Sequence, residues 1–268
     1  MKFAVIGHPI EHSLSPIMHH ANFEALNLDH GYQALNIPPA HFKHIRDIVA
    51  EYELDGFNVT IPHKERIIPY LDELTDEAKA IGAVNTVRID GEHWVGHNTD
   101  GVGYVKGLVD YYGELSDAKI LIIGAGGASK GIAYSLSQRT KHPIAVANRT
   151  LSRFEDWQFE VTAYPLSEVD HIAYQYDIII NTTPVGMHTS TEQVVTLQQL
   201  KDDVLVCDII YTPAETAFLK TAKMQGYNIY NGLDMFIYQG AESFKFWTGM
   251  QADVHVMRNR VKEKLYSD

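Results

Sequence analysis

The chain has 268 residues, enough for one large domain or two of ordinary size, and 45% of them are hydrophobic and 21% charged, as in a globular protein. Its net charge of −12 argues against a nucleic-acid partner and leaves any anionic ligand to be gathered by local cations. It shows no long apolar run or basic leader, so neither a membrane span nor a secretory signal is expected, and one cysteine excludes an internal disulfide.

Phe3–Ile6 is a first apolar strand, and Gly7-His8-Pro9 leads out of it. In Ser13-Leu14-Ser15-Pro16, Ser15 is a helix start, because a hydroxyl caps an exposed N–H and proline is favoured at the first position. Met18, Ala21, Ala25 and Leu28 continue as a helical apolar stripe. Ser15 is then either a plain cap or, with Ser13, part of a carboxylate cradle at the helix N-terminus; a cap does not explain Ser13. The 14 histidines invite a metal. No cysteine or carboxylate completes a set at ligand spacing, so His19, His20, His41 and His44 read as solvated helix faces and no metal is expected.

Tyr32–Ile37 is a second strand, and a helix is predicted over roughly 39–52 with Phe42, Ile45 and Val49 on one face. Gly56-Phe-Asn58-Val-Thr60-Ile-Pro62-His63-Lys64 is a strand that Pro62 must end, since proline cannot donate to a ladder. Alternation sends Asn58 and Thr60 to one side, and Lys64 stands just past the strand's carboxyl end, where α/β sheets bind ligands. A solvated surface lysine is the ordinary alternative. Thr75 caps a short helix with an acidic start, and Asp90-Gly91 turns a hairpin whose arms are Ala83–Ile89 and Trp94–His97. Asn98-Thr99-Asp100-Gly101 opens the next helix, for which Asp100 taken alone is an N-cap.

Lys119–Ile123 is a buried parallel strand, followed at once by Gly124-Ala125-Gly126-Gly127-Ala128-Ser129, a helix to about Arg139 and a strand Ile144–Ala147. This βαβ unit is either an ordinary tight turn or a dinucleotide loop that holds a pyrophosphate on helix N–H groups. Ser129 stands where a third Gly or Ala is usual. The end of the second strand decides between them. An NAD site wants an acidic residue there, whereas this chain carries Asn148, Arg149, Thr150 and Arg153, whose planar forks and short polar groups suit a 2′-phosphate. The cofactor expected is NADP. Further strands Asp177–Ile180 and Val204–Ile210, the latter holding Cys207 as a buried inert thiol, send loops to the same crevice; Thr182, Met187 and Gly232 are cofactor candidates there. Helices at about 214–225, 233–247 and 252–265 close the chain.

Taken in order, Ser13-Leu-Ser15-Pro16, Asn58-Val-Thr60-Ile-Pro-His-Lys64, Gly82-Ala-Val-Asn85-Thr86 and Asn98-Thr-Asp100-Gly101 resemble the shikimate dehydrogenase family over nearly the whole chain. The second half adds the glycine loop, Asn148-Arg-Thr150, Asn181-Thr-Thr-Pro184-Val-Gly-Met187, Asp208–Pro213 and Tyr238-Gln239-Gly240. Ser129 is tolerated in that family's loop, and His20 replaces an expected Asn. The resemblance implies two α/β domains, a substrate domain of residues 1–101 plus 238–268 and a Rossmann-like doubly wound NADP domain of residues 102–237. It implies reversible reduction of 3-dehydroshikimate to shikimate by NADPH, in aromatic amino-acid biosynthesis and in the cytoplasm. Ser13 and Ser15, with Tyr211 nearby, are assigned the substrate carboxylate; Asn58, Thr60, Asn85 and Gln239 the ring hydroxyls; Lys64 and Asp100 the catalysis. A relative that also takes quinate or NAD is the second enzyme reading. A non-catalytic NADP-binding regulator is the third, against which Lys64 and Asp100 both speak.

Overall fold

The structure, a computed structural model, describes residues 1–187 and 191–266. The chain divides into two compact units, Met1–Thr99 with Ile237–Asp268, and Asp100–Phe236.

The first unit starts with β1 (Lys2–Gly7), α1 (Ser15–Ala25) and β2 (Gly31–Asn36). A 3-10 turn at Phe42–His44 runs into α2 (Ile45–Glu51), followed by β3 (Gly56–Val59), β4 (Glu73–Leu74), α3 (Asp76–Ile81) and the hairpin β5 (Thr86–Asp90) and β6 (His93–His97). The sheet order is β2-β1-β3-β5-β6-β4; β2, β1 and β3 run parallel, whereas β5 is antiparallel to both neighbours. The helix expected over 39–52 begins only at Ile45. His41 and Phe42 donate to the carbonyls of Pro38 and Pro39 in a turn first. Thr75 caps α3 as expected, its hydroxyl accepting the Ala78 N–H at 3.3 Å.

The second unit holds α4 (Asp100–Tyr112), β7 (Ile120–Ile123), α5 (Gly127–Ser137), β8 (Ala145–Asn148), β9 (Thr162–Pro165), α6 (Val169–Ile172), β10 (Ile178–Asn181), β11 (Leu205–Asp208), α7 (Ala217–Met224) and β12 (Asn228–Tyr230). Its six strands are parallel in the order β12-β11-β10-β7-β8-β9, the doubly wound arrangement in which the first strand, β7, sits between β10 and β8. Two-residue alternation fills both faces. Ile120, Ile122, Ile178, Ile180 and Cys207 join one core, and Leu121, Ile123, Ile179 and Val206 the other. β9 escaped the sequence reading because it is an edge strand with no buried residue, so no apolar pattern marks it. α4 packs on α5 at a backbone contact, where a Cβ on Gly101 would overlap the Gly131 carbonyl.

α8 (Leu233–Thr248) and α9 (Val254–Tyr266) end the chain, and from Ile237 onward they belong to the first unit. There α9 packs on α1. Phe244 and Trp247 of α8 meet Phe3, Val5 and Phe23 on one side of the sheet, while Ala4 and Ile6 face the core on the other. Trp247 stacks on Phe3 with ring centroids 4.5 Å apart and donates its Nε1–H to the Val87 carbonyl at 2.9 Å. Among the described residues no helix is long and apolar enough to cross a membrane.

Candidate active site

In the first unit, the expected site residues fall at the carboxyl ends of β1 and β3, around a buried polar cluster. Asn58 on β3 is 6% exposed. Its Oδ1 accepts the Tyr32 hydroxyl at 2.7 Å, and its Nδ2 donates to the Asn85 carbonyl, Thr86 Oγ1 and Ser243 Oγ at 3.1, 3.1 and 2.9 Å. Tyr32 also meets Ser15, and burial holds its phenol well above the usual range, so it is a neutral donor. Asn85 is equally committed. Its Oδ1 accepts the Thr99 N–H at 2.8 Å and the Thr86 hydroxyl at 2.9 Å, and its Nδ2 donates to Thr99 Oγ1 at 2.9 Å. Thr60, half-buried, donates its N–H to the Ile6 carbonyl at 2.9 Å.

Lys64 is half-buried rather than fully solvated, on the turn that follows β3. Its neighbour His63 anchors that turn: fully buried, it stacks on Phe42 at 4.1 Å and donates Nε2–H to the Ile37 carbonyl at 2.7 Å. The Lys64 carbonyl accepts the Val84 N–H at 2.8 Å, which ties the turn to the segment carrying Asn85.

At the start of α1 the roles of the two serines are exchanged. Leu14 occupies the cap position and caps through no side chain, while Ser15 is already the first helical residue. The Ser15 N–H donates to Ser13 Oγ at 3.3 Å, so Ser13 supplies the local hydroxyl cap that had been credited to Ser15. The Ser15 side chain is thereby left for other partners. His19 overturns another expectation. It is fully buried, stacked on Tyr32 at 4.3 Å, and both ring nitrogens lack a hydrogen-bond partner; burial lowers its pKa to about 3. Two adjacent histidines gave no sign that α1 is covered by α9 and β2, so that His19 turns inward while His20 stays exposed. His20, His41 and His44 are exposed, and His20 reaches the Tyr32 carbonyl at 2.7 Å. Gln239 is half-buried on α8, and its main-chain carbonyl accepts the Ser243 hydroxyl at 2.9 Å.

In the second unit a cleft of about 670 Å³ opens at the carboxyl ends of β7, β8 and β10. Gly124, Ala125, Gly126, Asn148, Arg149, Thr150, Arg153 and Thr182 all line it. Gly124 has φ +110°, and a Cβ there would stand 2.8 Å from Thr182 Oγ1, so the turn requires glycine. Gly126 caps α5 with no side chain, and nothing lies within 4 Å of a Cβ built on Gly126 or Gly127. No side chain caps the N–H groups at this helix start, and uncapped groups of that kind are what an anionic pyrophosphate needs. Asn148, rather than an acidic residue, ends β8, and Arg149 and Arg153 are exposed beyond it. This donor set fits NADP.

Gly127, Ala128, Ser129, Met187 and Gly232 do not line the cleft. Ser129 is fully buried and donates its hydroxyl to the Gly124 carbonyl at 2.6 Å; it braces the loop that it had seemed to spoil. Met187 is exposed, and Gly232 is required because a Cβ would overlap the Ile209 carbonyl. Asp100, 8% exposed, is the first residue of α4, where its carboxylate also suits the helix dipole. Tyr211 stacks on Phe236 at 5.2 Å, and burial raises its phenol pKa.

Sequence reasoning missed a second tier. Thr183, Pro184, Val185 and Glu192 also line the cleft. Behind them the fully buried Asp208 accepts from Asn181 Nδ2 at 3.1 Å, Thr216 Oγ1 at 2.8 Å and the Ile210 N–H at 3.0 Å. Burial raises its pKa to about 6, against those three hydrogen bonds. Asn181 Oδ1 in turn accepts from the Thr183 N–H and hydroxyl, shaping the loop over the cleft. Thr86, Thr99 and Ser243 in the first unit were also unassigned. A run of polar residues at fully buried strand ends was the available signal.

Three family models match the chain: a shikimate dehydrogenase substrate binding domain over residues 5–87, shikimate / quinate 5-dehydrogenase over 108–231, and a shikimate 5′-dehydrogenase C-terminal domain over 232–262. A shikimate dehydrogenase (NADP(+)) of Staphylococcus epidermidis is 54% identical over 99% of this chain and 98% of its own. A crystal structure of a shikimate dehydrogenase in complex with NADP+ superposes with a TM-score of 0.90 at 40% identity, covering 98% of this chain and 95% of its own. The Thermus thermophilus shikimate 5-dehydrogenase in complex with NADP(H) and shikimate gives 0.89 at 32% identity, over 98% and 99%.

Proposed function

The chain belongs to the shikimate dehydrogenase family, and on that premise we propose that Lys64 and Asp100 carry its chemistry, with the substrate held by residues of the first unit and NADP by those of the second. The reaction is the reversible reduction of 3-dehydroshikimate to shikimate by NADPH, an oxidoreductase step of aromatic amino-acid biosynthesis. The carrying observation is that family models match residues 5–87, 108–231 and 232–262, in both units, and that a relative 54% identical covers 99% of the chain. The cytoplasm is the proposed place of work, because NADPH is available there and the one thiol is buried and un-ionised.

NADPH, when bound, supplies the hydride that goes to the carbonyl carbon. The chain's own residues do the rest. As negative charge develops on the carbonyl oxygen, the Lys64 ammonium stabilises it and gives up the proton that completes the alcohol. Asp100 accepts a hydrogen bond from the substrate, and in the oxidation direction the same groups take the proton back. Ser15 and Ser13 at the start of α1, with Tyr211, take the substrate carboxylate; the helix N-terminus favours that charge in a protein of net −12. Asn58, Thr60, Asn85 and Gln239 take the ring hydroxyls. On the cofactor side, the bare start of α5 holds the pyrophosphate, and Arg149 and Arg153 with Asn148 and Thr150 hold the 2′-phosphate. The test is direct. Purified protein given shikimate and NADP+ is expected to raise NADPH absorbance, and no signal at any pH would overturn this reading in favour of a binding protein without turnover.

A further inference from the structure

We propose that Ser243 is a positioning residue of the substrate pocket, a buried hydroxyl on α8 that fixes the orientation of Asn58 and the Thr86 and Thr99 hydroxyls. The proposal rests on the reading of Asn58 and Gln239 as substrate residues given above.

Ser243 is fully buried and has no side-chain surface to offer a ligand. Four groups nevertheless converge on its Oγ. The Gln239 carbonyl lies at 2.9 Å, Asn58 Nδ2 at 2.9 Å, Thr86 Oγ1 at 2.8 Å and Thr99 Oγ1 at 3.2 Å. A hydroxyl has one proton and two lone pairs. The Gln239 carbonyl can only accept, so it takes the Ser243 proton. Asn58 Nδ2 can only donate, so it fills one lone pair, and one threonine hydroxyl fills the other. The second threonine proton then goes to Asn85 Oδ1, which lies within 3.2 Å of Thr99 Oγ1 and 2.9 Å of Thr86 Oγ1. Whichever threonine takes which acceptor, Ser243 donates to Gln239 and Asn58 Nδ2 donates to Ser243.

That direction decides how Asn58 is presented. Its amide nitrogen is turned onto Ser243, Thr86 and the Asn85 carbonyl, while its oxygen is turned to the Tyr32 hydroxyl, a donor kept neutral by burial. One lone pair of Oδ1 remains, so Asn58 meets a substrate hydroxyl as an acceptor. Ser243 also stands one helical turn from Gln239, and Thr99 immediately precedes Asp100 in the chain. One buried hydroxyl thus joins β3, β5, the segment after β6 and α8.

The experiment compares Ser243→Ala, Ser243→Cys and Ser243→Thr with the wild type in shikimate oxidation, with melting temperature measured alongside. Cys keeps the volume and loses most of the hydrogen bonding, whereas Thr keeps the hydroxyl and its bond to the carbonyl one turn back. S243A and S243C are expected to raise the KM for shikimate about tenfold, the worth of roughly one buried hydrogen bond, with the KM for NADP+ within about twofold of wild type and S243T restoring shikimate affinity. A lower melting temperature in S243A and S243C with an unmoved shikimate KM would show a purely structural serine and overturn the proposal. If S243A does not fold, S243C alone decides between the same two outcomes. Wild-type protein that fails to oxidise shikimate overturns instead the functional reading on which the proposal rests.

Discussion

Asn58 Nδ2 donates to Ser243 Oγ at 2.9 Å across 185 residues of chain, and both groups are buried. The bond can form only because α8 comes back to the sheet that begins with β1. A short strand near the front of the sequence and a helix near its end are therefore one polar assembly. Its members are held to each other before any ligand arrives, so little side-chain freedom remains to be lost on binding.

Lys64→Ala removes the proposed proton donor while leaving in place the residues proposed to bind the ring hydroxyls. kcat for shikimate oxidation is expected to fall by roughly 10²–10⁴-fold with a far smaller change in KM. Initial rates over a range of shikimate concentrations check this; a raised KM at unchanged kcat would make Lys64 a binding residue only.

Arg149→Ala addresses cofactor choice. Arg149 is exposed on the cleft beyond β8, with no carboxylate at the strand end to favour an unphosphorylated ribose. Loss of a charge-assisted hydrogen bond to phosphate is expected to raise the KM for NADP+ about 10–100-fold and that for NAD+ hardly at all. Equal losses for both cofactors would remove the 2′-phosphate assignment.

His19 makes stability depend on pH. Its pKa is lowered to about 3 by burial, with the adjacent His20 charge as the lesser cause, so below the ordinary value of 6.5 the unfolded chain binds a proton that the folded one refuses. The stabilisation from a neutral His19 is complete above pH 6.5 and is lost progressively as pH falls towards 3. Between pH 6.5 and 5 this amounts to about 2 kcal/mol. Urea titrations of wild type and His19→Phe at the two pH values should show a smaller acid loss in the variant, whose ring still stacks on Tyr32; equal losses would place the acid sensitivity elsewhere.

Gly101→Ala sets two effects against each other. Helix propensity favours Ala over Gly by about 1 kcal/mol. The new methyl would overlap the Gly131 carbonyl where α4 meets α5, and backbone cannot yield as a side chain does. Overpacking of this kind costs about 1–3 kcal/mol, so the clash wins and a fall of a few degrees in melting temperature is expected by calorimetry. A rise would mean that the two helices separate at little cost.

The parallel strands were legible in the sequence because both of their faces are buried: Ile120–Ile123 and Ile178–Ile180 are unbroken apolar runs and can be little else. The edge strand Thr162–Pro165 was not, since its side chains are exposed or half-exposed and carry no pattern. The glycine loop and the arginines after β8 raised the expectation of a phosphate site by residue type alone, and Gly124, Gly126 and both arginines line one cleft. What stayed hidden was the layer of polar side chains that face one another. Ser243, Thr99 and Thr216 look like any hydroxyl residue until strands and helices distant in sequence are brought together around them. The exchange of roles between Ser13 and Ser15 has a similar origin, because a cap is a matter of backbone angles at one residue, and Leu14 already has helical angles.

Cys207 lies wholly inside the second unit with its pKa pushed up to about 12 by burial, so at neutral pH only about one thiol in 10⁵ is ionised. Alkylating agents and peroxides act on thiolate, and the native protein offers them almost none. Iodoacetamide labelling therefore becomes a clock for unfolding, since incorporation can proceed no faster than the strand that carries the sulfur comes out of its sheet.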